Sequence, residues 1–194
     1  MSATDRFSPL TRALLDNILR AGFPPLHTLP VAAARQAYAA GVGAMAEPGP
    51  ALARTERFSI PGPAGAIPAA LWAPRTEPGL PVLLYLHGGG FVIGGIDTCE
   101  AMCRRLAEQA DVAVVAIDYR LSPEYRFPAA LDDSWAALRW LADLGHTLGL
   151  DTRRLAVGGD SAGGCLAASC ALLARGAGNP RRPQALFNPS VPMR

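Results

Sequence analysis

Apolar and polar positions divide the chain into two parts with different periodicities. Over residues 9–20, Leu10, Leu14, Leu15, Ile18 and Leu19 fall on one face of a predicted helix. Ser8 is placed to cap it, and Pro9 suits its first turn. Gly22 and the pair Pro24-Pro25 end it. A second helix is expected over residues 31–40. A Gly-, Ala- and Pro-rich stretch over 41–50 then reads as a linker.

From Ala51 the pattern changes. Residues 57–60 and 67–72 read as strands around a turn at Pro61-Gly62-Pro63. Residues 82–86 and 112–117 are continuous apolar runs of strand length, as expected for strands covered on both faces of a parallel sheet. Helices are predicted over 98–110 and 128–144, the second with Leu131, Trp135, Leu138 and Leu141 along one side. A short strand at 155–157 leads into a helix rich in small residues over 161–175. Residues 183–187 begin like another strand, before Pro189 and Pro192 spoil strand pairing. The alternation predicts an α/β layer fold around a mostly parallel sheet, with an antiparallel edge built from the first two strands.

Two glycine-rich turns sit where such a fold carries chemistry. The first is Gly159-Asp160-Ser161-Ala162-Gly163, between the strand at 155–157 and the following helix. A nucleophile on a strand-to-helix turn needs a strained backbone and neighbours without side chains, which Gly159 and Gly163 supply. Ser161 is the expected nucleophile. The N–H of Ala162, at a helix N-terminus, is an expected donor to a developing oxyanion. The second turn, His87-Gly88-Gly89-Gly90-Phe91, follows the buried strand at 82–86. Successive glycines let backbone N–H groups face a substrate unobstructed, so Gly88 and Gly89 are the other expected donors. His87 is expected to orient this loop, with Gly90, Asp160 and the two elbow glycines in support.

Composition narrows the picture further. The formal net charge is +2, with 18 basic and 16 acidic residues, so nothing argues for a nucleic-acid partner. No apolar run approaches the ~20 residues that span a bilayer, and residues 1–10 lack the layout of a secretory signal. A cytoplasmic location is expected. Cys99, Cys103, Cys165 and Cys170 lack the further ligands a zinc site requires and read as free thiols. No metal or cofactor is expected. A dinucleotide-binding fold is disfavoured, because the strand at 82–86 leads into His-Gly-Gly-Gly and not a phosphate-binding turn.

The two motifs, with the intervening block Asp118-Tyr119-Arg120-Leu121-Ser122-Pro123-Glu124 and Phe127-Pro128-Ala129-Ala130-Leu131-Asp132-Asp133, resemble the hormone-sensitive-lipase-like esterases of the α/β-hydrolase superfamily. The resemblance implies an α/β-hydrolase core over residues 51–194 and a partial helical lid over 1–50. It also implies hydrolysis of small acyl esters through an acyl-serine intermediate. In that family an acid and then a histidine follow the serine. Residues 162–194 contain no Asp, Glu or His. The chain is therefore expected to lack the triad acid and base and the family's last strands, and to be impaired as a catalyst. A non-catalytic remnant or acyl-binding module is the alternative. His27 and His146 are the histidines left to be weighed as substitutes. A sheet ending so early is also expected to self-associate through its exposed edge.

Overall fold

The computed structural model describes residues 7–20, 22, 24–176 and 184–187. The expected breaks at Pro189 and Pro192 lie outside the described residues. Helix α1 (Pro9–Arg20) begins as expected, with the Ser8 hydroxyl accepting the Thr11 N–H at 3.2 Å. Three residues of its apolar stripe are in solvent: Leu10, Ile18 and Leu19, the first and last 82% and 76% exposed. Helix α2 (Val31–Met45) continues through Gly41 and Gly43, where a linker was expected. The alanines around those glycines favour helix, and the Ala46 N–H closes the last turn on the Val42 carbonyl.

Six strands form one sheet in the order β1-β2-β4-β3-β5-β6. Strands β1 (Arg54–Gly62) and β2 (Gly65–Ala73) are the expected antiparallel hairpin at one edge. Its turn lies one step later than expected. Pro61 and Gly62 still pair, with Ala66 and Gly65, and Gly65 takes the positive φ of 129° that the reversal requires. Strands β3 (Leu80–Leu86), β4 (Ala113–Ile117), β5 (Leu150–Asp160) and β6 (Gln184–Phe187) are parallel. Strand β5 starts well before the expected 155–157. The pairing jumps from Pro81↔Asp151 to Val82↔Leu155, so residues 152–154 bulge out. The Asp151 carboxylate holds that bulge through Arg153 (3.1 Å) and Arg154 (2.8 Å), which keep it well below the usual carboxylate range, at about 2.

The continuous apolar runs are explained by three layers. Alternate residues of β2, β3 and β4 (Ala70, Trp72, Tyr85, Val114, Ala116) pack against Ile96, Cys99, Cys103 and Ala107 of α3 (Ile96–Ala110). Those between them (Leu71, Leu84, Leu86, Val115, Ile117) face the other side. There Leu138 and Leu141 of α4 (Ala129–Leu144) and Leu166, Ala167 and Cys170 of α5 (Ala162–Gly176) cover them. Cys99, Cys103 and Cys170 are buried free thiols and Cys165 is half-buried. Burial pushes the Cys170 thiol up to about 12, which makes it a small hydrophobe at neutral pH. No described helix is long and apolar enough to cross a membrane.

Connectivity places the two glycine motifs side by side. The chain leaves β3 for β4 on one side and returns through α4 to β5 on the other, so β3 and β5 are direct neighbours. Both motifs stand at the carboxyl ends of these strands, where open parallel sheets bind ligands.

Among the described residues, no strand pairs with the outer edge of β6. We propose that this edge of β6 recruits another strand; sedimentation velocity should then show species heavier than 20.3 kDa that grow with loading concentration. A single monomer peak at every concentration would contradict this.

Candidate active site

The strand β5 ends at Asp160 and α5 begins at Ala162, which leaves Ser161 alone on the bend. Its φ is +50°, a left-handed conformation that non-glycine residues adopt at a cost of about 1–3 kcal/mol. The bend survives because β3 is pressed against it. A Cβ on Gly159 or on Gly163 would overlap the Leu86 carbonyl oxygen, and one on Gly163 would also meet the His87 carbonyl. Both elbow glycines are therefore required by backbone proximity.

Asp160 carries the tightest link between the motifs. Its Oδ1 accepts the Tyr85 hydroxyl at 2.8 Å and the Gly88 N–H at 2.8 Å. The carboxylate beside the nucleophile thus locks the elbow to the start of the glycine loop. Burial, reinforced by the Asp160 charge, holds the Tyr85 phenol far above its ordinary value, so it remains a donor at any working pH.

This arrangement corrects one expected role. The Gly88 N–H is spent on Asp160 and is not a donor to an oxyanion. A Cβ at Gly88 would collide with the same carboxylate, which is the structural reason for that glycine. Gly89 and Gly90, with φ of 124° and 60°, turn the loop back on itself, and Phe91 follows at 62°. The Gly89 carbonyl accepts the N–H groups of Val92 and Ile93, both at 3.0 Å. Among the described residues, no hydrogen bond takes the amide hydrogens of Gly89 or Gly90. The Ala162 N–H lies in the first turn of α5, where no helical acceptor exists.

His87 sits beneath this loop and is 2% exposed. Its Nδ1 lies 2.7 Å from the Gly88 carbonyl, so Nδ1 carries the proton and donates it there. The ring stacks on Tyr119 at 4.3 Å and 8°, and the Tyr119 hydroxyl donates to the His87 carbonyl at 2.6 Å. Nε2 is buried with no partner among the described residues. Burial lowers the imidazole's proton affinity below its ordinary value. These contacts hold the His87 ring beneath the loop, with its Nδ1 proton taken by the Gly88 carbonyl.

The other titratable candidates stand elsewhere. His27 is exposed beyond α1. His146 is exposed just before the start of β5, an eleven-residue strand with Ser161 at its far end. With residues 152–154 bulging out, the strand still holds the two ends about 20–25 Å apart. Asp133 is buried and takes the Arg120 N–H at 3.0 Å, its Nε at 2.9 Å and its Nη2 at 2.8 Å. Asp118 accepts the Ile96 N–H at 2.7 Å and so anchors the start of α3. Asp118 and Asp133 thus hold the backbone and Arg120 in place. Beside the glycine loop opens a mostly apolar cleft of about 250 Å³, lined by Gly90, Phe91, Tyr125, Leu131, Leu166 and neighbouring residues. Behind the loop lies a more polar cavity of about 320 Å³, lined by His87, Asp118, Tyr119 and Arg35 among others. Tyr85, Tyr119 and Arg35 are site residues that the motifs alone do not reveal. Only Tyr119 had a signal, as the residue after Asp118 at the end of a buried strand.

Two outcomes follow. Asp160→Ala should lower unfolding stability by about 2–3 kcal/mol, the size of a lost charge-assisted pair of bonds, with Asp160→Asn recovering part of it. Urea unfolding measures this, and a loss below about 0.5 kcal/mol would show that Asp160 clamps nothing. For His87 the folded state favours the neutral ring, so the unfolded chain binds the proton more readily. Its contribution is complete above the unfolded value of ~6.5 and is lost as the pH falls through the lower folded value. The urea midpoint should therefore drop more steeply from pH 7.5 to pH 5 in the parent than in His87→Gln. Parallel profiles would remove this role.

The chain is similar to known proteins. A family model described as the alpha/beta hydrolase fold matches residues 83–194. Esterase LipI of Mycobacterium tuberculosis is 50% identical over 130 residues, which is 66% of this chain and 41% of LipI. Carboxylesterase NlhH of the same species is 50% identical over 109 residues, 56% of this chain and 34% of NlhH. The hyperthermophilic esterase from the archaeon Pyrobaculum calidifontis superposes with a TM-score of 0.88 at 39% identity, covering 95% of this chain and 59% of that one. The chain spans about two fifths of LipI and a third of NlhH. With both motifs packed against each other at adjacent strand ends, the chain belongs to the hormone-sensitive-lipase-like esterase family of the α/β-hydrolase fold.

Proposed function

We propose that this chain is a carboxylic ester hydrolase that uses Ser161 as nucleophile and forms an acyl-serine intermediate on small acyl esters. One observation carries the reading. A serine strained onto a strand-to-helix bend is tied, through Asp160 and Gly88, to a loop whose next two amide hydrogens have no partner among the described residues. Gly89 and Ala162 are the expected oxyanion donors, joined by Gly90 in place of Gly88. Donors already fixed in position stabilise developing charge without reorganisation, each worth about 2.7–4 kcal/mol judged by removal. The apolar cleft of about 250 Å³ beside Gly90 favours short acyl groups. It is smaller than the roughly 300–1,000 Å³ that encloses drug-sized ligands. The relatives named above are themselves esterases or carboxylesterases.

Proton transfer limits the rate. Residues 162–194 contain no His, Asp or Glu, and His87 is turned toward the Gly88 carbonyl. A serine without a base keeps only the ~10³–10⁴-fold advantage over water that an oxyanion hole and binding provide. Slow turnover by this polypeptide is therefore part of the reading. The same observation favours a second reading, in which the cleft binds an acyl group and turns nothing over.

Hydrolysis of p-nitrophenyl acetate and butyrate separates the two readings. The expected result is slow release that falls to background in Ser161→Ala. It should also fall, relative to the parent, in Gly89→Ala, whose Cβ would overlap the Ile93 carbonyl. Release unaffected by Ser161→Ala would end the nucleophile assignment. Turnover in the ordinary enzyme range of about 1–10³ s⁻¹ would end the claim of impairment.

A further inference from the structure

We infer that Arg35, on α2, is a positioning residue for the oxyanion loop. Its guanidinium makes four bonds to three separate groups. Nε donates to the Val92 carbonyl at 2.8 Å, and Nη2 donates to the Ser122 carbonyl at 3.0 Å. Nη1 and Nη2 hold the two oxygens of Glu124 at 2.9 and 2.7 Å. Val92 is the residue whose N–H closes the turn on the Gly89 carbonyl. The Val92 carbonyl shares its peptide unit with the Ile93 N–H, which also bonds the Gly89 carbonyl, so the bond from Arg35 fixes the far side of the turn that begins at Gly89 and Gly90. The same guanidinium reaches the loop after β4, which is tied to the glycine loop independently by the Ser122 N–H on the Phe91 carbonyl at 2.8 Å.

The chemistry requires an arginine. Three acceptors in different directions need a planar fork, and a lysine ammonium on a single stem cannot span them. Ion pairing to Glu124 alone is a weak account of the residue. Glu124 is half exposed and Arg35 about one third exposed, and pairs of that kind contribute little. The two backbone carbonyls make the site specific. They are ordinary loop acceptors whose positions decide where Gly89 and Gly90 point. Asp160 grips the loop at its start through Gly88, and Arg35 grips it at its end through Val92. The amide hydrogens of Gly89 and Gly90, without a partner among the described residues, lie between these points.

The role assigned to Gly89 rests on the esterase reading, and the clasp itself does not. Amide hydrogen exchange on the full chain tests it, with the Val92 and Ile93 amides as reporters. In Arg35→Met these two should exchange about tenfold faster, the size of one lost bond to a charged donor, while β3 and β4 amides keep their rates. Arg35→Lys should behave like Arg35→Met. Glu124→Gln, which removes the ion pair and spares both carbonyl bonds, should stay within about twofold of the parent. The residual Ser161-dependent ester cleavage should fall in Arg35→Met through kcat, with KM little changed.

Unchanged exchange at 92–93 in Arg35→Met would overturn the proposal. So would equal acceleration across the sheet, which would make Arg35 a general stabiliser. An effect of Glu124→Gln as large as that of Arg35→Met would reduce the clasp to an ion pair that docks a helix. Loss of the esterase reading, through a Ser161→Ala variant with undiminished cleavage, would leave the exchange result standing.

Discussion

The site depends on one carboxylate shared between two strands. Asp160 lies at the end of β5, and its Oδ1 accepts from Tyr85 on β3 and from Gly88 just past β3. Parallel neighbours already run at a fixed spacing of about 4.8 Å. Sheet pairing alone leaves the turns beyond the strand ends free to splay. The bonds to Asp160 remove that freedom, and each is stronger than a neutral bond because the acceptor is charged. Nucleophile and glycine loop are thereby held as one unit.

Close backbone contact supplies the rest of the rigidity. The elbow glycines let β3 approach so nearly that any side chain would strike the Leu86 carbonyl. Beneath them His87 is held from three directions, by its own bond to Gly88, by the stacked Tyr119 ring and by the Tyr119 hydroxyl on its carbonyl. The left-handed conformation of Ser161 is tolerable only in such surroundings, since nothing local favours it. The large buried side chains Trp72, Tyr85, Leu84 and Leu138 anchor the strands that carry these turns.

The N-terminal helices enter this scheme unequally. Helix α2 is bonded to the site's loops through Arg35 and borders the polar cavity behind them. Helix α1 shows Leu10, Ile18 and Leu19 of its apolar stripe to solvent. An amphipathic pattern therefore predicted a helix correctly while saying nothing about whether its apolar face finds a partner. The same limit appears at Gly41 and Gly43, where glycine counted as a breaker although the flanking alanines carry the helix through.

Local chemistry determined much of this protein from sequence alone. The continuous apolar runs at 82–86 and 112–117 announced strands covered on both faces. The glycine spacing around Ser161 announced a strained bend, because strand periodicity and small neighbours are properties of adjacent residues. Tertiary structure decided which partners meet across distance. Gly88 reads as an oxyanion donor in sequence, yet Asp160, 72 residues away, takes its hydrogen. Tyr85 and Arg35 have no motif that names them, and the block that contains Tyr119 does not give its bond to the His87 carbonyl. Their roles arise because strand order brings β3 beside β5 and places α2 over the loop between them. A hydrogen bond needs its two atoms within about 3 Å, and only the folded chain sets that distance for residues far apart in sequence.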